Sequence, residues 1–276
     1  MKVAVVGHVE WVEFVPVGRV PLPGEIVQAG ETWEEAGGGG AVAALQLARL
    51  AGAATLYTAL GDDDLGRRAK AELEAQGLRV AAAWRAESQR RAVTFVDSEG
   101  ERTITVIGRK LSPRPDDPLP WDELDDTDAV YFTARDVGAL RQARRAGTLV
   151  ATARELPTLR EGDVELDALV RSGTDAGEVY EEGGLEPPPR LVVSTGGGRG
   201  GTYALRGSEP QSFSAAPRPG PRVDDYGAGD CFAAGLTYGL VRERTLDDAL
   251  ALASACGAAA TTGPGVHVGY PPVASA

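Results

Sequence analysis

Val223-Asp224-Asp225-Tyr226-Gly227-Ala228-Gly229-Asp230-Cys231-Phe232 runs straight into a stretch rich in alanine and leucine. Small residues at 227–229 let the backbone turn tightly and aim several N–H groups outward at the start of a helix. There the helix dipole adds partial positive charge. The result is an anion hole, and Asp230, in the first helical turn, is placed to take a proton from a hydroxyl lying over it. An isolated Gly-x-Gly-Asp reads more simply as a helix cap with an acid in its first turn, so the rest of the chain must decide between the two.

The chain has 276 residues, 43% hydrophobic and 25% charged, the composition of a globular protein with a real core. Its length fits a single domain over 1–276, since neither a repeat nor a linker interrupts it. Forty acids against 28 bases give a net charge of −12, which argues against a nucleic-acid partner. Only three of the bases are lysines (Lys2, Lys70, Lys110), and there is no asparagine. The first apolar run, from Val3 to Gly7, is too short for a signal-peptide core, and no later stretch suits a membrane span. Cys231 and Cys256 lack metal-type spacing and read as buried thiols, which points to the cytoplasm.

Short β-branched runs at 3–7, 54–59, 128–133, 147–152, 190–195 and 202–206 alternate with helical patterns at 41–51, 65–76, 137–146, 228–242 and 246–260. That rhythm predicts an α/β fold with a mostly parallel sheet flanked by helices. Segments 11–33 and 91–107 break it, alternating or turning like antiparallel strands, the second as a hairpin around Asp97-Ser98-Glu99-Gly100. They predict a small separate sheet lying over one edge of the site as a lid. A dinucleotide fingerprint after the first strand is broken by Gly7-His8-Val9, and the glycine run 37–40 lacks the Gly-Lys-Ser/Thr of a P-loop.

The 224–232 stretch resembles the signature of the ribokinase-like (PfkB) carbohydrate kinases, usually Asp-Thr-Thr-Gly-Ala-Gly-Asp followed by Ala or Thr and Phe. The resemblance covers most of the chain in the right order. Gly37-Gly38-Gly39-Gly40-Ala41 and the helix after it look like the family's sugar-site segment. Gly61-Asp62-Asp63 with Leu65-Gly66, Leu73 and Gly77-Leu78 is similar to its next block, and Ser194-Thr195-Gly196-Gly197-Gly198-Arg199-Gly200 to its nucleotide loop.

The resemblance implies a ribokinase-like fold and phosphoryl transfer from ATP to an alcohol group of a small carbohydrate. Asp230 would be the base, with the amides of Gly227, Ala228 and Gly229 stabilising charge on the γ-phosphate. Thr195, Gly197 and Gly200 would lie along the nucleotide phosphates, and Ala255, Cys256, Gly265 and His267 would border the adenine. The family's Asn-x-x-Glu metal motif corresponds to Asp175-Ala176-Gly177-Glu178. Asp175 and Glu178 would then hold hydrated Mg²⁺, a cation that accepts carboxylate oxygens readily. Asp224 stands where the family places an acid beside K⁺, although Asp225 and Tyr226 replace two threonines. Lids of this type often pair across a homodimer.

The acceptor side departs most from the pattern. Val12 and Val42 stand where the family carries a sugar-binding acid and amide, and neither side chain can hydrogen-bond a sugar. Glu10, on the same strand face as position 12, and its neighbour Glu13 are the candidate substitutes, alongside Gly38 and Gly39. Trp11 and Phe14 suggest a flatter, apolar acceptor surface suited to a nucleoside base. A nucleoside kinase and a non-catalytic regulator of the same fold therefore stand as alternatives.

Overall fold

The computed structural model describes residues 1–243 and 245–270. Strands β1 (Val3–Gly7), β2 (Glu10–Pro16), β3 (Trp33–Gly37), β4 (Thr55–Gly61), β5 (Arg79–Arg85), β6 (Arg91–Val96) and β7 (Arg102–Ile107) precede β8 (Ala129–Thr133), β9 (Thr148–Thr152) and β10 (Ala168–Ser172). Strands β11 (Leu191–Thr195), β12 (Gly201–Leu205) and β13 (Gln211–Phe213) follow. The helices are α1 (Gly39–Ala51), α2 (Asp64–Ala75), α3 (Val137–Ala143), α4 (Leu156–Gly162), α5 (Ala228–Arg242) and α6 (Leu246–Ala260).

Nine strands form the large sheet in the order β13-β12-β11-β10-β9-β8-β1-β4-β5. It is parallel from β5 across to β11 and antiparallel over β12 and β13. The central strands β1 and β8 are buried along their whole length, as their unbroken apolar runs require when both faces are covered. The chain passes from β1 to β4 on one side and later returns to β8 on the other. The strand order therefore reverses between β1 and β8, and the carboxyl ends of those two strands open the crevice where sheets of this kind bind ligands.

The second sheet is four-stranded, ordered β3-β2-β6-β7. Its hairpin 91–107 forms as expected, with Asp97 Oδ1 accepting from the amides of Glu99 and Glu101 in the turn. The first lid segment differs from expectation. Its returning strand lies at 33–37, while the Glu25–Ala29 region is open loop. Pro21, Pro23 and Gly24 deny that loop a ladder, and the Ile26 side chain is fully exposed. Parallel pairing of β2 with β6 joins the two lid segments into one plate.

Trp11 and Phe14 are not an acceptor surface. Trp11 is 3% exposed beneath the Arg68 guanidinium, 4.4 Å from its ring centroid, and donates Nε1–H to Glu34. Phe14 is completely buried between the stacked ring of Trp33 and the edge-on ring of Tyr226. With Trp11 covered by Arg68 of α2 and Phe14 enclosed by Trp33 and Tyr226, the observation that suggested a nucleoside base is gone.

Candidate active site

Asp230 lies in the first turn of α5, which begins after Gly227 in a left-handed conformation (φ 73°). Among the described residues the amides of Gly227, Gly229 and Asp230 have no acceptor, and that of Ala228 reaches only Asp225 O at 3.4 Å. Open space lies over Gly229. The sequence therefore supplies unspent N–H groups at a helix N-terminus with room for an anion above them.

Burial pushes the Asp230 carboxyl up to about 6, and Glu178 adds to the rise, while Arg102, Arg154 and Lys110 oppose it. Its neighbour across the crevice is Gly39. A β-carbon there would sit 2.7 Å from Asp230 Oδ1 and 3.5 Å from His8 Cε1, so the missing side chain is what lets carboxylate and imidazole approach the same space. His8, directly after β1, places Nδ1 3.0 Å from Thr133 O at the end of β8. Burial, followed by the nearby charge of Lys110, drives its proton affinity well down, so the ring is neutral. Neutral His8 donates Nδ1–H to Thr133 O, which leaves Nε2, 3.6 Å from Glu10 Oε1, as the unprotonated nitrogen.

Glu10 on β2 is 7% exposed, with Oε1 accepting from Arg90 Nε at 2.6 Å and lying 3.6 Å from His8 Nε2. Gly38 donates its amide to the Tyr226 hydroxyl at 2.9 Å. Val42 belongs elsewhere. It is 1% exposed and packs under Gly227 in the apolar cluster of Val12, Phe14, Tyr226 and Cys231, so it props the anion-hole loop and offers no surface to an acceptor. Tyr226 and Asp225, in place of two threonines, brace the same loop. The tyrosine spans to Gly38, and Asp225 receives a two-pronged contact from Arg222.

Asp224 is buried, its two oxygens accepting from the amides of Tyr226 and Gly265 at 2.7 Å each. It thus ties the signature loop to the 263–265 turn, and burial raises its carboxyl against those two amides. His267 closes that turn, its amide donating to Gly265 O. Ala255 is half-buried on α6. Cys256 is fully buried against Gly235 of α5, so its side chain cannot border a nucleotide. Both cysteines are free and buried, as expected.

Thr195 ends β11, opposite Ser172 at the end of β10. The following loop closes with Gly196 N–H donating to Gly200 O at 2.6 Å and leaves Gly197 exposed. Glu178 accepts from Ser172 N–H at 2.7 Å, which sets the acidic pair beside this loop. One oxygen of Asp175 and one of Glu178 converge on a single nitrogen, Arg154 Nη2, each at 2.6 Å. Arg154, with the Gly177 amide, holds the Asp175 carboxyl below its usual range. Two carboxylates meeting at one cationic point have the donor chemistry Mg²⁺ takes, with phosphate and water oxygens completing its shell. No group of three or more His, Cys, Asp or Glu able to hold a metal occurs among the described residues.

His8, Arg90, Lys110, Arg135 and Arg154 escaped the sequence reading. Two signals were available: His8 is one of two histidines and follows the first strand directly, and Lys110 is one of three lysines.

The sequence profile described as pfkB family carbohydrate kinase matches residues 1–156 and 165–272. The chain is 28% identical to an ATP-dependent ribose-1-phosphate kinase of Halopiger xanaduensis, over 94% of this chain and 91% of that one. It is 31% identical to a fructokinase of Klebsiella pneumoniae, over 85% and 88%. A solved structure of a microbiome-derived acarbose kinase superposes with a TM-score of 0.79 at 24% identity, covering 96% of this chain and 94% of that one.

Proposed function

We propose, since the chain belongs to the pfkB family of carbohydrate kinases and is a phosphotransferase with a hydroxyl acceptor, that it passes the γ-phosphate of ATP to a hydroxyl of a small carbohydrate with Asp230 as the base. The observation that carries this reading is the pairing of an upshifted, half-buried Asp230 with unspent amides at the start of α5. The acceptor hydroxyl gives its proton to Asp230 as its oxygen bonds to the γ-phosphorus. The bond from that phosphorus to the β,γ-bridging oxygen breaks, and ADP leaves with the electron pair. The amides of Gly227 and Gly229 face the charge that gathers on the transferring group.

Thr195, Gly197 and Gly200 are the proposed contacts to the nucleotide phosphates, with Gly265 and His267 toward the base. Asp175 and Glu178 would hold Mg²⁺, which when bound screens the phosphate charge. Arg154 already holds positive charge at that point. Asp224 accepts one amide at each oxygen, which leaves a lone pair on each that could face a K⁺ beside the loop. No helix among the described residues is long and apolar enough to cross a membrane.

ADP release from Mg-ATP, measured over pentoses, hexoses, sugar phosphates and nucleosides, tests the assignment. Turnover with at least one carbohydrate is the expected result, and turnover with nucleosides alone would replace it.

A homodimer through the lid is the second part of the reading. Strand β7 is a free edge, exposed at every residue, and carries Ile104, Val106 and Ile107 outward. Such an edge invites a partner strand. Sedimentation is expected to give a dimer, and a monomer at micromolar concentration would remove this part.

A further inference from the structure

Arg154 lies in the 3₁₀ turn Ala153–Glu155, directly after β9, with its backbone amide donating to Thr152 Oγ1 at 3.3 Å. Its guanidinium reaches the turn after β10. There a single nitrogen, Nη2, donates to Asp175 Oδ2 and to Glu178 Oε1 at 2.6 Å each. Two carboxylates thus share one donor atom, where a guanidinium paired with one carboxylate would give it two parallel N–H groups. Nε and Nη1 of Arg154 have no acceptor among the described residues.

The two carboxylates do not depend on Arg154 for their placement. Glu178 turns its other oxygen, Oε2, to the Ser172 amide at 2.7 Å, and Asp175 turns Oδ1 to the Gly177 amide at 2.7 Å. Each acid is therefore pinned by backbone on one side and presents its remaining oxygen to the shared point. The base of the arginine is pinned as well. Its neighbour Glu155 is 1% exposed and pairs with Lys110 and Arg135 in the wall of the crevice beside Asp230. What can move is the Arg154 side chain itself, long, unbranched and 48% exposed.

Two negative oxygens held by backbone at one point repel each other unless a cation stands there. A guanidinium meets that need, and so does a hydrated divalent cation, which prefers carboxylate oxygens and keeps its waters. Both cannot do so together, because two positive charges at hydrogen-bond distance from the same oxygens would repel each other strongly. We propose that Arg154 is a tethered stand-in for the divalent cation: it fills the point between Asp175 and Glu178 in the metal-free protein, and a metal binds there only by displacing it. Arg154 thereby becomes a competitor for the metal role proposed for Asp175 and Glu178, on which the inference rests.

Mn²⁺ titrated into the nucleotide-free protein, with the free ion read by electron paramagnetic resonance, measures the competition directly. Arg154→Gln is expected to bind Mn²⁺ about 10- to 100-fold tighter than the wild type, the range of the charge-assisted contacts the metal no longer has to break. Adding Glu178→Gln should abolish that gain. In chelator the Arg154→Gln protein should melt below the wild type, its carboxylates facing each other without a cation, and excess Mg²⁺ should restore most of the loss; a merely structural arginine would leave a loss that Mg²⁺ does not repair. Phenylglyoxal labelling of the wild-type protein, read at Arg154 by peptide mass spectrometry, needs no variant. Saturating Mg²⁺ should free the guanidinium and speed its labelling several-fold over chelator.

An Arg154→Gln protein that binds Mn²⁺ no tighter, with binding still lost on Glu178→Gln, overturns the inference and leaves the metal assignment in place. A gain that survives Glu178→Gln puts the metal elsewhere and overturns both. Arg154 labelling that Mg²⁺ leaves unchanged or slows overturns the inference by itself. None of these readouts uses turnover, so they stand apart from the kinase assay.

Discussion

Replacing Asp230 by asparagine is expected to lower kcat by about 10²–10⁴-fold, the contribution of a positioned base, while Mg-ATP still binds. The exchange is nearly isosteric and breaks no hydrogen bond, because the Asp230 carboxylate makes none among the described residues. Its charge is disfavoured by burial and by Glu178, so neutralising it should leave the melting temperature unchanged or raised. A lost rate with a retained fold separates chemistry from structure, and a near wild-type rate would refute the base assignment. The pH profile offers a second check on the same group. Because burial raises the Asp230 carboxyl to about 6, the protonated and inactive form dominates below that value. The wild-type kcat should therefore climb as pH rises through about 6 and level off near neutrality. The Asp230→Asn protein should show no such limb.

Gly39→Ala is expected to cost nearly as much by a different route. Its β-carbon would arrive 2.7 Å from Asp230 Oδ1, closer than the two atoms can remain, and the carboxylate would have to turn away. Misplacing a reacting group by about 1 Å can cost about 10²-fold in rate. The same exchange favours the first turn of α1, since alanine is about 1 kcal/mol better than glycine in a helix interior. Thermal melts should thus show an equal or higher midpoint alongside a kcat at least about 10²-fold lower. An active Gly39→Ala protein would mean that Asp230 does not work in the position it occupies here.

The large sheet was legible where its strands are β-branched and its helices periodic. Strands β1, β4, β8, β9, β11 and β12 fall where the sequence places them, within a residue or two. Strand β5 did not announce itself, because Arg-Val-Ala-Ala-Ala-Trp-Arg has the alanine content of a helix. It is a strand because β4 presents a parallel edge to it. Strand β10 has only Ala168, Leu169 and Val170 as its apolar signal and takes its place between β9 and β11. Local preference is overridden in both by pairing that no short window can see.

The active site divides in the same way. The 224–232 stretch and the 194–200 loop are each contiguous, so a match to the family's pattern exposes them as candidates. The wall of Arg90, Lys110 and Arg135 is assembled across 46 positions and exists only once β1, β8 and the lid are in place. Glu10 was found because it lies beside a position that the family pattern marks, and its partner Arg90 was not, because nothing near it is marked. Val12 and Val42 stand where the family pattern has polar ligands, and their burial shows what they do here: with Tyr226 they make a continuous apolar prop for the 227–229 loop.

The four-stranded plate meets the body of the protein at four chain crossings: His8-Val9 between β1 and β2, Gly38 between β3 and α1, residues 86–90 between β5 and β6, and the chain leaving β7 after Ile107. Each of these four crossings holds a residue of the crevice beside Asp230 or of its wall: His8, Gly38, Arg90 and, on the last, Lys110. Pivot and pocket are the same atoms. A tilt of the plate would re-aim these side chains, and a change at any of them would bear on how the plate sits. In the proposed kinase, a substitution at one of these crossings would act on acceptor fit and on the seating of the plate together.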